Sequence, residues 1–259
     1  MGITGMFPIA GPPSSGGGGG SVSPILDWQL IDPTGMTKTT PDAMQISGES
    51  IDSGTGMVTY TFAALGSGDA KYNLTGTAAE YPRYSSALVD SAGVQLTTDD
   101  SFVMFVRLSE FNTTVPSSAD LRIAVGLCLS PTATTTNDLD AYGVGMRSRA
   151  ASRVGATFKA DTSSAGFSSF SSTATDTIFG SIQRTTRRLG ALITFGEDSD
   201  GATISPSTGR TSAVTSNTAF AAGSNYSLFV AIGINSNTGT IDAGQTIGFR
   251  ADYAIKRLR

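Results

Sequence analysis

The sequence predicts an all-β protein, an antiparallel sandwich of two packed sheets. Apolar and polar residues alternate with a period of two in many short segments, whereas the 3.6-residue period of amphipathic helices is nearly absent. Gly, Pro, Asn, Asp and Ser separate these segments, as expected for turns. About a dozen strands without crossover helices favour antiparallel pairing over a parallel α/β fold. The chain of 259 residues, 39% of them hydrophobic, is long enough to bury a core.

The segment LRIAVGLCL is the strongest predicted strand. Because side chains alternate between the two faces of a strand, one face carries Leu121, Ile123, Val125, Leu127 and Leu129. The opposite face carries Arg122, Ala124, Gly126 and Cys128. In chain order, the other predicted strands are residues 25–31, 57–62, 84–89, 101–108, 141–149, 153–160, 177–183, 187–195, 226–234 and 246–257.

The last predicted strand, TIGFRADYAIKR, has a well-specified register. Its predicted inward set is Ile247, Phe249, Ala251, Tyr253 and Ile255. Arg250 and Asp252 then point outward. A slip of one residue would turn both charged side chains into the core, so we expect this register to be fixed.

We predict that residues 1–23 form an N-terminal attachment arm and that residues 24–259 form the sandwich domain. Within the arm, SSGGGGGSVS at 14–23 has the composition of a flexible tether, with a root-mean-square reach of about 17 Å. We expect residues 1–20 not to be a secretory signal, because they lack Lys and Arg and are interrupted by Gly and Pro. The apolar residues before the tether are predicted to anchor the chain to a partner; they are Ile3, Met6, Phe7 and Ile9.

Composition and charge argue against several classes of partner. The formal net charge is −4, whereas nucleic-acid binding requires a concentrated basic surface, so no nucleic-acid partner is expected. No segment approaches the roughly 18 apolar residues of a membrane span. The single cysteine, Cys128, excludes an intrachain disulfide and is predicted to be a small packed strand residue.

The sequence contains no histidine, which removes Ser-His-Asp and Cys-His nucleophilic sites and zinc sites built on imidazole. Glycoside hydrolysis needs only two carboxylates, but no strand carries an alternating Glu-x-Asp-x-Glu pattern. The glutamates are Glu49, Glu80, Glu110 and Glu197. We therefore expect no catalytic residues and no enzyme activity. A glycan-cleaving alternative would depend on Glu197 or Asp200.

Two acidic loops are candidates for calcium binding. Asp198 and Asp200 lie in the turn GEDSDG, and Asp138 and Asp140 lie in the loop NDLD. Oxygen ligands clustered in a loop suit calcium, but both sets are short of a full coordination shell. Ordinary turns are the favoured interpretation, so no cofactor is expected.

Residues 140–253 resemble the second half of a concanavalin A-like jelly roll of the lectin and laminin G kind. The resemblance lies in strand order and turn placement. A strand ends in DAYGVGM at 140–146, and RRLGALITF is followed by the turn GEDSDGATI at 196–204. The strand YSLFVAIGI and a closing GFRADY at 248–253 complete the pattern. The resemblance implies a jelly-roll fold and leaves the ligand open.

The whole chain resembles virion structural proteins of tailed bacteriophages, such as head fibres, capsid decoration proteins and tail fibres. The shared features are a Gly-rich N-terminal arm, few charges and a β-rich outer domain rich in Ser, Thr and Gly. The resemblance implies display on the virion, an arm bound to capsid or tail proteins, and a homo-oligomer such as a trimer. One alternative is a carbohydrate-binding, receptor-recognition module that binds a surface glycan. The other is a glycan-cleaving enzyme.

Overall fold

Two antiparallel β-sheets packed face to face form the fold, so the predicted all-β sandwich is confirmed. The computed structural model describes residues 26–39, 46–64, 74, 81–116, 119–134, 136–149, 152–161, 164–169, 178–185, 188–193, 196–197, 212–215, 223–234 and 241–258. The predicted arm, residues 1–23, lies outside them. Within these ranges, no helix is long and apolar enough to span a bilayer.

The described part of the chain contains sixteen strands and two short 3-10 turns, Pro33–Gly35 and Asn137–Leu139. The strands are β1 (Gln29–Leu30), β2 (Thr37–Thr39), β3 (Ile46–Ile51), β4 (Val58–Phe62), β5 (Arg83–Ala87), β6 (Phe102–Thr113), β7 (Leu121–Cys128), β8 (Ala141–Arg149), β9 (Ser152–Asp161), β10 (Ser164–Ser169), β11 (Ile178–Thr185), β12 (Arg188–Ile193), β13 (Gly196–Glu197), β14 (Ser212–Thr215), β15 (Ser227–Ile234) and β16 (Thr246–Arg257).

The strand order is that of a jelly-roll sandwich, in which the chain repeatedly crosses between the sheets. Sheet A has the order β14-β12-β11-β6-β16-β4-β3, with β1 paired to β16 and β13 to β11. Sheet B has the order β10-β9-β8-β7-β15-β5-β2. The C-terminal strand β16 is central in sheet A because it pairs with β6 on one side and with β1 and β4 on the other.

Aromatic rings fill the core between the sheets. The ring centroid of Tyr60 in β4 lies 5.3 Å from that of Tyr84 in β5 and 5.6 Å from that of Phe249 in β16. The predicted inward set of β7 is confirmed, because Val125 is in register with Val230 and, across β15, with Tyr84, whose ring contacts Tyr60 of sheet A. The members of this set within the strand are Leu121, Ile123, Val125 and Leu127. The inward set of β16 is confirmed as well, with Ile255 at its end only partly buried.

The N-terminal strands differ most from the prediction. Residues 25–31 were predicted as one strand, but among residues 26–31, which the structure describes, the strand covers Gln29–Leu30, and the backbone amide of Ile31 adds one hydrogen bond of 2.8 Å to the carbonyl oxygen of Ala251. The strands β2 and β3 were not predicted, because TKT and ISGESI lack an apolar alternation. These short strands form one end of each sheet among the described strands.

A polar contact joins the two sheets at this end. Lys38 of β2 forms an ion pair with Glu49 of β3. The Tyr84 hydroxyl of β5 donates a hydrogen bond of 2.7 Å to Glu49 Oε1. Burial raises the pKa of Tyr84, and the hydrogen bond to Glu49 adds to the rise. The hydroxyl therefore stays protonated and acts as a donor that ties sheet B to sheet A.

A second ion-pair cluster fixes the end of β16. Arg257 Nε donates to Asp90 Oδ2 at 2.8 Å, and Nη1 donates to Asp100 Oδ1. The backbone amides of Ala92 and Val94 donate to Asp90 Oδ1 at 3.0 and 2.9 Å. The hydrogen bond from Arg257 and these amides lower the pKa of Asp90. The folded protein therefore favours the ionised carboxylate.

Because the folded protein favours the ionised form of Asp90, its stability should fall with pH in the acid range. The stabilisation is present above the unfolded-state pKa near 3.8 and is lost as pH falls through the lower folded-state pKa. Asp90→Asn should flatten the fall of the thermal midpoint below pH 3.8 and cost about 1 kcal/mol or less at neutral pH. Circular dichroism melts over a pH series would test this. Arg257→Gln should flatten the same slope, and unchanged slopes in both variants would contradict the assignment.

Candidate functional surfaces

The outer face of sheet B carries a row of four residues in register across four strands. Phe229 of β15 pairs with Gly126 of β7, Gly126 with Gly143 of β8, and Gly143 with Phe158 of β9. The row lies on the outer face because Val230, next to Phe229 in β15, is in register with Tyr84, whose ring contacts Tyr60 of sheet A, so that alternate residues point away from sheet A. All four residues of the row are buried.

The two phenylalanine rings meet above the glycines. The centroids of Phe158 and Phe229 are 5.9 Å apart with an interplanar angle of 13°, although two strands separate their backbones. The close approach of β8 requires glycine at position 126, since a Cβ there would lie 2.0 Å from the carbonyl oxygen of Tyr142. The centre of this face is therefore filled by the protein's own side chains.

A buried polar cluster lies on the same face of sheet B. Arg83, which is 2% exposed, lies with its guanidinium carbon 5.6 Å from the ring centroid of Tyr81. The charge of Arg83 also acts on Cys128. Burial lowers the pKa of Arg83 and raises that of the Cys128 thiol, with Arg83 opposing only part of the latter rise. The thiol is thus a packed, protonated group.

The outer face of sheet A presents a different surface, centred on Asp252. This carboxylate was predicted to point outward, and it does, but it is only 2% exposed. Arg107 of β6 lies opposite it and donates from Nε and Nη2 at 3.2 and 3.0 Å to Oδ2. Arg250 donates from Nε to Oδ2 and from Nη2 to Oδ1, each at 3.0 Å. Two guanidiniums therefore share one buried carboxylate.

Apolar residues surround this ion-pair network. The guanidinium carbon of Arg107 lies 4.9 Å from the ring centroid of Trp28, the only tryptophan of the chain. Leu30 of β1 is in register with Asp252 of β16 and is 41% exposed. Phe105, two residues before Arg107 in β6, is half-buried. We name this surface the Trp28 patch; its members are Trp28, Leu30, Phe105, Arg107, Arg250 and Asp252.

Arg250 also anchors the patch to a neighbouring turn. Its Nη1 donates to the carbonyl oxygen of Thr55 at 3.0 Å. The hydrogen bonds to Asp252 raise the pKa of Arg250, so its positive charge is permanent. The side chains of Arg107 and Arg250 are 26% and 35% exposed. The patch therefore offers two fixed cations and exposed apolar surface to a ligand or partner.

Comparisons with known proteins found distant similarities to solved structures. No family model matches the chain, and no curated protein matches it. One similar solved structure is the CBM2 module of the evolved Dit protein of Lactobacillus casei BL23 phage J-1, with 11% identity, 90% of this chain and 97% of that chain covered, and a TM-score of 0.43.

Two further structures have similar scores. A functionally unknown protein from Saccharomyces cerevisiae has 10% identity, with 88% of this chain and all of that chain covered and a TM-score of 0.42. An alginate lyase from Corynebacterium sp. has 9% identity, with 83% and 82% of the two chains covered and a TM-score of 0.43.

The acidic residues predicted as calcium candidates are only partly described. Asp138 is exposed, and Asp140 is half-buried with a φ of 45° at the end of the turn Asn137–Leu139. Among the described residues, no three His, Cys, Asp or Glu side chains are grouped so that they could hold a metal ion. Asp198 and Asp200 lie outside the described residues, so that site stays a prediction.

The predicted anchoring residues also lie outside the described part of the chain; they are Ile3, Met6, Phe7 and Ile9. For Glu197, only the backbone is described, as part of β13. The Trp28 patch, by contrast, was not predicted as a site. Its sequence signal is the Trp-x-Leu alternation at residues 28–30, which the sequence alone cannot connect to Arg107 and Asp252.

Proposed function

We propose that this chain is a non-enzymatic structural component of a tailed-bacteriophage virion. It is attached to the capsid or tail by residues 1–23 and displays the jelly-roll domain. The observation that carries the proposal is the filled outer face of sheet B, where Phe158 and Phe229 stack over Gly126 and Gly143. All four residues are buried and are therefore not accessible to a polymer chain, which supports a structural role over a glycan groove at these central strands.

The chemistry of the buried groups supports the same proposal. The Cys128 thiol is buried and has a raised pKa, which is the opposite of an activated nucleophile. A cavity lined by Phe111, Leu121 and Ile247 holds about 10 Å³, room for about one water molecule. The sequence supplies no histidine to act as a base.

The arm supplies the means of attachment in this proposal. Burying the four predicted anchoring side chains, Ile3, Met6, Phe7 and Ile9, would contribute about 6 to 12 kcal/mol. Ordering roughly twenty residues of backbone costs about 1 to 2 kcal/mol each, so the apolar contacts alone do not suffice. Attachment therefore needs backbone hydrogen bonds to a partner's sheet edge or the joint binding of several copies.

Deleting residues 2–20 tests the attachment. We expect the truncated protein to fold with an unchanged melting temperature but to be absent from purified virions, as measured by immunoblotting of particles. Replacing Ile3, Met6, Phe7 and Ile9 by serine should have the same effect. The matched control replaces the five-glycine run by five serines, which keeps the length and flexibility of the tether and should leave incorporation into virions unchanged. Normal incorporation of the variant with these four serine replacements would overturn the proposal.

A further inference from the structure

The direction of β1 shows at which end of the sandwich the chain enters the domain. Strand β1 is antiparallel to β16, with Gln29 in register with Tyr253 and Leu30 in register with Asp252. Going backward from Leu30 along the chain therefore leads toward Arg257, the last residue of β16. The chain thus enters at the end of the sandwich where β16 finishes, which we name the near end.

Several contacts fix this entry to the central strand of sheet A. The Tyr253 hydroxyl donates a hydrogen bond of 3.1 Å to Gln29 Oε1. The backbone amide of Ile31 donates one of 2.8 Å to a carbonyl oxygen of β16. The ring of Trp28 lies against the guanidinium of Arg107. The first residues of the domain are therefore held to the sheet, and the connection to the arm lies before them.

The last residues of β16 lie at the near end as well. Arg257 binds Asp90 and Asp100, which belong to the connection between β5 and β6. The turn after Asp90 contains Ala92, which is exposed. The near end therefore combines the entry of the chain, the end of β16 and this connection.

The opposite end of the sandwich, which we name the far end, contains the start of β16 at Thr246. The turn just before it contains Ala243, which is exposed. Sheet B reaches the same end, because one cavity is lined both by Ile247 of β16 and by Leu121, the first residue of β7. Leu121 is in register with Ile234, the last residue of β15. Both sheets therefore contribute to the far end.

The length of the sandwich exceeds the average span of the predicted tether. Strand β16 has 12 residues, which at about 3.3 Å each measure about 40 Å. Leu26 lies 17 positions after Ile9, the last predicted anchoring residue, and a flexible coil of that length spans about 23 Å on average. Turning the far end onto the anchoring site would stretch this connection to almost twice that span. The arrangement with the near end at the anchoring site is therefore favoured.

We propose that the near end of the sandwich faces the virion particle and that the far end points outward, so that it reaches the host cell first. This proposal rests on the proposed function and adds the direction in which the domain is displayed. The outward surface is then formed by the ends of β6 and β15 and by the starts of β7 and β16, and not by the broad outer faces of the two sheets.

Two matched cysteine variants test this direction. Ala92→Cys places a thiol at the near end and Ala243→Cys places one at the far end, and both alanines are exposed residues of turns. Cys128 is buried, so the wild-type chain serves as the unlabelled control. A maleimide carrying a long polyethylene glycol chain should modify both purified variants equally. On intact virions, Ala92→Cys should lose most of its reactivity, whereas Ala243→Cys should keep it.

Immunoblotting of the particles separates this proposal from the proposed function. If neither the wild type nor the variants are found in virions, the proposed function is wrong and the direction of display falls with it. If they are incorporated but Ala92→Cys reacts as fast as Ala243→Cys, only the direction is overturned. Protection of Ala243→Cys alone would overturn it too. Circular dichroism of the purified variants confirms that each one is folded.

Discussion

Replacing Gly126 by alanine should destabilise the protein by about 3 kcal/mol or more, and much of the expressed protein should be insoluble. The new Cβ would lie 2.0 Å from the carbonyl oxygen of Tyr142 and 2.6 Å from the Cα of Gly143. Both atoms belong to the backbone of the paired strand β8, so no side-chain rotation can relieve the contact. The strands must separate, which breaks their hydrogen bonds and disturbs the ring stack above them.

Urea unfolding followed by circular dichroism would measure this effect. Gly35→Ala is the matched control, because no atom lies within 4 Å of a Cβ at that position. The control should stay within about 0.5 kcal/mol of the wild type, as substitutions away from packed features usually do. A Gly126→Ala protein as stable as the control would show that the two strands do not approach so closely.

Replacing Asp252 by alanine should cost about 3 kcal/mol. The substitution leaves Arg107 and Arg250 side by side without the carboxylate that both of them bind. Removing one partner of a buried ion pair is strongly destabilising because the remaining charge is uncompensated. Partial exposure of the two guanidiniums keeps the expected cost at the lower end of that range.

Urea unfolding of the Asp252→Ala protein can be followed by the fluorescence emission of Trp28, whose ring contacts Arg107. Asp27→Ala removes an exposed carboxylate from the same region and serves as the control, with an expected change below about 0.5 kcal/mol. If the Asp252 variant lost less than about 1 kcal/mol, the ion-pair network would contribute no more than an ordinary surface pair.

The two-sheet fold could be predicted because the core-facing side chains follow local periodicity. In β7 and β16 the alternation identified the inward side chains, from Leu121 to Leu127 and from Ile247 to Tyr253. That signal depends only on neighbouring residues in the chain. It is absent from short polar strands such as β2 and β3, which form because longer strands beside them offer free hydrogen-bonding groups.

The surfaces could not be predicted, because they join residues far apart in the chain. Arg107 and Asp252 are separated by 145 positions, and only the register of β6 against β16 brings them together. The sequence placed Arg122, Ala124 and Cys128 on the second face of β7, and all three are buried there, as was predicted for Cys128 alone. Small residues at alternate positions gave no indication that aromatic rings from other strands would lie near them.

The ion pair between Lys38 and Glu49 has a consequence for behaviour at high local concentration. Strands at the end of a sheet present unpaired backbone groups and tend to join with one another into fibrils. In this protein the short strands β2 and β3 carry a lysine and a glutamate there, and docking a foreign strand would desolvate both charges. Because β2 and β3 end the two sheets among the described strands, we expect the contact that ties the sheets together also to disfavour aggregation of crowded copies.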